Sequence, residues 1–93
     1  MYTTTLKPGY EIVLAAYNGK IRIIIMHDNE EYVCRIETLK KLKEFAAVNE
    51  AKIFKGRLKL YKENGLIHVI AKGEALGSVD EERFKRSLDK SGC

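Results

Sequence analysis

The chain reads as an α+β domain: an antiparallel, curved sheet of about five strands in the order β-β-β-α-β-β-α, with two helices on one face. Three observations predict this. Asn18-Gly19 and Asn64-Gly65 each separate two apolar runs. Asn-Gly in that setting marks a tight hairpin, because both turn positions need positive φ. Two further segments, 39–48 and 79–90, switch to the three-to-four residue spacing of a helix with one apolar side. Finally, 93 residues that are 45% hydrophobic and 32% charged suit one globular domain, spanning 1–93 with tails at 1–8 and 91–93.

The first expected strand is Tyr10–Tyr17, YEIVLAAY, rich in apolar and β-branched residues. After the first Asn-Gly turn comes Lys20–His27, KIRIIIMH, whose isoleucine run suits a central strand covered on both faces. A polar turn, Asp28–Glu31, leads into a third strand, Tyr32–Glu37. Thr38 stands where a helix N-cap would, with Leu39, Leu42, Phe45 and Ala46 on one side of the helix that follows. Asn49 is the expected stop.

Lys52–Lys62 alternates and reads as one long fourth strand, bent or bulged at Gly56. Beyond the second Asn-Gly turn, Leu66–Lys72 is the fifth strand and 73–77 a loop. Ser78-Val-Asp-Glu81 matches a capping box for the last helix. That helix carries a thin apolar stripe of Val79, Phe84 and Leu88. No internal repeat stands out.

Two cysteines, neither in a C-x-x-C pair, fit a reducing compartment and a cytoplasmic protein. Cys34 is expected to be a core thiol. The chain does not open with a basic region followed by an apolar stretch, so no secretory leader is expected. The longest apolar run, Ile23–Met26, is far short of the roughly 20 residues of a membrane helix. Absence of Gln beside abundant Lys and Glu points toward a thermophilic source.

Catalytic motifs are missing: there is no G-x-S-x-G, P-loop, H-E-x-x-H or G-x-G-x-x-G. No metal or cofactor is expected. A metal-independent nuclease would have to use His27 or His68, the two histidines, and would need them to converge. The expectation is therefore a non-enzyme.

The net charge of +4 favours anionic partners. Its placement in the fourth strand is more informative. Strand parity puts Lys55, Arg57, Lys59 and Tyr61 on one face and Phe54, Leu58 and Leu60 on the other. Arg22 and Arg35 are expected to join the basic face. Cations that neutralise phosphates, interleaved with a ring that stacks on bases, suit single-stranded DNA or RNA. The expected site is thus Arg22, Arg35, Lys55, Arg57, Lys59 and Tyr61. The competing expectation is a protein-interaction module, a small inhibitor or assembly subunit, whose basic face is merely solvated. A small core and open sheet edges make a homodimer the expected assembly, its seam an edge strand or the last helix.

Overall fold

The computed structural model describes residues 2–48, 51–53 and 56–91. Over these residues the chain is α+β, with ten elements. β1 (Tyr2–Lys7), β2 (Tyr10–Tyr17), β3 (Lys20–His27) and β4 (Glu30–Thr38) lead into α1 (Leu39–Ala47). β5 (Ala51–Ile53), β6 (Leu58–Glu63), β7 (Leu66–Ala71) and β8 (Glu74–Asp80) lead into α2 (Glu81–Ser91). The strands form two antiparallel meanders, β1-β2-β3-β4 and β5-β6-β7-β8. The expected single sheet of about five strands is thus two sheets of four, and the chain runs twice through the same ββββα unit.

Three local features account for the difference. Residues 2–7, expected as a tail, pair with β2 through the Pro8-Gly9 turn. Three consecutive threonines give this segment β propensity without the apolar alternation that announces a strand. The expected long fourth strand divides at Gly56, whose φ of +93° no bulky residue adopts easily. The chain reverses there, so that β5 pairs antiparallel with β6, Ile53 opposite Leu60. The expected 73–77 loop lies largely within β8. Gly77 permits this, since a Cβ on it would stand 2.7 Å from the Leu6 carbonyl oxygen of β1.

Both Asn-Gly pairs make the expected two-residue turns, with positive φ at all four residues and Tyr17 opposite Lys20, Glu63 opposite Leu66. Asp28-Asn29 and Lys72-Gly73 adopt the same left-handed conformations. Thr38 caps α1 as expected, its hydroxyl accepting the Lys41 N–H at 3.3 Å. The Ser78 capping box does not form. Ser78 sits inside β8 opposite His68, and Asp80 caps α2 instead, its Oδ1 accepting from the Glu82 N–H at 2.8 Å. Asn49, the expected stop of the first helix, and Phe54 lie outside the described residues.

One buried cluster joins both sheets and both helices. Ile12, Leu14, Ile21, Ile23, Ile25 and Val33 come from the first sheet. Leu58, Leu60, Ile67, Val69, Ala71, Leu76 and Val79 come from the second. The helices add Leu42, Phe45, Phe84 and Leu88, with the Phe45 and Phe84 rings edge to face at 6.2 Å. α1 touches β4 and β5, and α2 touches β2 and β8. Each helix therefore bridges the two sheets instead of covering one face of a single sheet.

Lys62 lies within this arrangement, 3% exposed. Strand parity places it on the inner face after Leu58 and Leu60. Its ammonium donates to the Ala46 carbonyl in the last turn of α1 and pairs with Glu81 at the start of α2, 2.6 Å away. One cation thus ties both helices to the second sheet, satisfying a helix-end carbonyl that has no partner within its own helix.

Candidate functional site

The outer face of the second sheet is set by the register of β6 and β7. Lys59 lies opposite Ile70, and Tyr61 opposite His68. On β5, Lys52 lies opposite Tyr61. The Tyr61 and His68 rings stack at 6.1 Å with planes 24° apart. Tyr61 donates its hydroxyl hydrogen bond to Glu63 at 2.9 Å, and the Lys52 ammonium stands 5.5 Å from the ring centre. The ring is half-buried and held at its hydroxyl end.

β4 and α1 supply the facing wall. Between the two walls runs a groove of about 880 Å³. Arg35, Glu37 and Lys41 line one side; Lys52, Lys59 and Tyr61 line the other, with Ile53, Leu60 and Ile70 among them. Four cations and the Glu37 carboxylate line the groove around the tyrosine, whose hydroxyl is held by Glu63. Glu37 turns one oxygen toward its own helix start, accepting the Thr38 N–H at 2.8 Å. A neighbouring depression of about 420 Å³ is lined by Arg35 and Arg57 with Glu31, Tyr32, Val33, Cys34 and Leu58. Arg35 therefore belongs to both hollows, and Arg57 extends the basic line from one to the other.

The structure brings Arg35, Lys59 and Tyr61 together and puts Arg57 beside them. Lys55 lies outside the described residues. Arg22 does not join the group. It stands opposite Ile36 in the register, whereas Arg35 stands opposite Ile23, so the two guanidiniums leave opposite faces of the first sheet. Arg22 donates from Nε to the Cys34 sulfur at 3.1 Å and pairs with Glu31 at 2.9 Å. The bond to Cys34 raises its already high pKa. Cys34 is accordingly exposed on this outer face, not a core thiol.

Two groove cations were absent from the expected site. Lys52 shares the basic 52–62 segment, and its role was legible only once β5 was known to pair with β6. Lys41 lies on α1, and the two helices were expected to cover one face of a single sheet. Lys41 reaches the groove because α1 sits at the junction of the sheets instead of on one sheet's back.

The two histidines sit in separate tyrosine clusters. His27 stacks on Tyr10 at 4.1 Å and meets Tyr32 edge-on at 5.6 Å, where the Lys72 ammonium lies 4.0 Å from the Tyr32 ring centre. His68 lies against Tyr61 on the other sheet. Nearby, Lys7 and Glu74 join β1 to β8 at 2.7 Å. Their hydrogen bond raises the pKa of the lysine and holds the carboxyl below its ordinary range. Among the described residues, no group of three or more His, Cys, Asp or Glu side chains could hold a metal ion. No helix there is long and apolar enough to cross a membrane.

Comparison with protein-family models, with curated proteins and with solved structures finds no match for this chain.

Proposed function

We propose that the protein binds single-stranded nucleic acid, without acting on it chemically, in the groove between β4 and the second sheet. The observation that carries this reading is the convergence of Arg35, Lys41, Lys52 and Lys59 around the Tyr61 ring. Four cations from three strands and a helix supply sites for successive phosphates. An aromatic ring whose hydroxyl is already bonded supplies a platform on which any base can stack. His68, stacked on the same ring, extends that platform. Arg57, beyond Arg35, gives the backbone a second exit from the groove.

Affinity in such a site comes largely from phosphate neutralisation, with stacking adding about 1–3 kcal/mol per base and little sequence preference. The direct test is a fluorescence-anisotropy titration of labelled single-stranded DNA and RNA at low salt. Saturable binding is expected, weakened strongly when Arg35, Lys52 and Lys59 are replaced together by Ala. Failure of the unaltered protein to bind either nucleic acid at low salt would refute the reading.

A further inference from the structure

The outer face of the first sheet is as different from the groove as the fold permits. Its two central rows across β2, β3 and β4 are Val13–Ile24–Cys34 and Ala15–Arg22–Ile36, in which Arg22 is the one charged side chain. Val13 is only 8% exposed, yet it stands outside the buried cluster that joins sheets and helices. Ile36 is 43% exposed and Tyr17 45%. Neither helix covers these side chains, since the helices contribute to the cluster on the opposite face. An apolar sheet face of this kind marks a contact surface.

The charges at the two ends of the face identify its occupant. One end carries Glu11 and Glu31 beside Met26. The other carries Lys20 beside Tyr17, with Arg22 one row in. Glu11 and Lys20 make no ion pair among the described residues. Glu31 and Arg22 pair with each other within the chain, so the charges left for a partner are Glu11 at one end and Lys20 at the other, and these complement each other under a two-fold rotation that exchanges the ends. We propose that two copies of this chain pack their first sheets face to face, about a two-fold axis running across the strands in the interface plane. Glu11 of each copy then lies toward Lys20 of the other, with Ile24 and Ile36 at the centre. The alternative axis, along the strands, would set the acidic end of one copy against the acidic end of the other and is disfavoured by like charge.

Four strands of about eight residues give the face a flat area on the order of 500 Å². That is below the roughly 800 Å² per partner of a standard stable interface. The dimer is therefore concentration-dependent, not permanent. Glu31 and Cys34 of this face also line the smaller hollow beside the groove, but no residue lining the groove around Tyr61 lies on it, so dimerisation and nucleic-acid binding are tested separately.

Sedimentation equilibrium over a range of protein concentrations tests the proposal. The expected result is a shift from the 10.6 kDa chain mass toward twice that value as concentration rises. Ile24→Glu should hold the protein at the monomer mass with an unchanged circular dichroism spectrum. Should that variant fail to fold, the charge pair still decides. Glu11→Lys alone and Lys20→Glu alone should each weaken dimerisation by at least about tenfold, and the double exchange should restore it. A protein that stays monomeric at high concentration would overturn the proposal. So would a dimer indifferent to Ile24→Glu, or one weakened by both single exchanges and not restored by the double.

Discussion

In the first half of the chain, β2 and β3 turn at Asn18-Gly19 and send Ile12, Leu14, Ile21, Ile23 and Ile25 into the core. In the second, β6 and β7 turn at Asn64-Gly65 and send Leu58, Leu60, Ile67, Val69 and Ala71 into it. Counted outward from each turn, these inward residues correspond one to one and all are apolar. The outward residues do not correspond in character. Where the first half has Val13, Ala15 and Arg22, the second has Lys59, Tyr61 and His68. The inward face is constrained by packing, since both halves feed one core. The outward face is unconstrained by the fold, so its chemistry reports on what the surface meets. The first sheet's outer face is largely apolar, whereas the second sheet's carries a stacked tyrosine and forms one wall of the basic groove.

If the halves are equivalent inside, matched truncations should cost alike. Ile23→Ala and Ile67→Ala should each lose about 2–5 kcal/mol of unfolding free energy, measured by urea titration. Ile24→Ala, on the outward side of the same β3 strand, should lose about 1 kcal/mol or less. An equal loss at Ile24 would mean that the outer face is a second core.

The equivalence breaks inside at one position. Two residues before the turn the first half has Ala16 and the second has Lys62. Lys62→Met keeps the bulk but leaves the Ala46 carbonyl without its donor, and should cost about 1–3 kcal/mol. Denaturation curves unchanged by this substitution would show that the lysine is not what ties the helices to the second sheet.

The outward difference is sharpened by one comparison in binding. Tyr61→Ala should weaken single-strand affinity by about 1–3 kcal/mol if a base stacks there, whereas Arg22→Ala, on the first sheet's outer face, should leave affinity unchanged. The smallest expected effect concerns pH. The hydrogen bond from Lys62 holds the Glu81 carboxyl below its ordinary value of 4.5. A carboxyl lowered in the folded state contributes stability that is present above that ordinary value and is lost as pH falls through the folded value. Glu81→Gln should therefore flatten the acid limb of a melting-temperature profile. Some dependence should persist from Glu74, which Lys7 lowers in the same direction.

The sequence made the turns, the α1 cap and the inward residues legible because each has a local cause: Asn-Gly needs left-handed backbone, Thr38 has a side chain that caps, and alternation follows strand parity. β1 and β8 were obscure because their places depend on partners. Thr3, Thr4 and Thr5 become a strand by pairing with β2, and Gly77 belongs to β8 because β1 passes close to it. The repeat was hidden for a related reason. The two halves share only apolar alternation, which any pair of strands shares, while their outward residues differ. In the candidate site, Lys59 and Tyr61 followed from parity. Arg22 was misplaced because its face depends on the register between β3 and β4. Lys41 and Lys52 were missed because the groove exists only where the two sheets meet.

The central claim is that the cations gathered between β4, α1 and the second sheet work as a phosphate-binding groove. The most direct measurement is the salt dependence of single-strand binding for the unaltered protein and for the Arg35→Ala, Lys52→Ala, Lys59→Ala triple variant. Each phosphate contact with a single strand contributes about 0.7 to the slope of log affinity against log salt concentration. The triple variant should therefore show a slope shallower by roughly 2. If the two proteins bind with the same slope, the groove cations do not contact phosphate, and the basic face is a solvated surface.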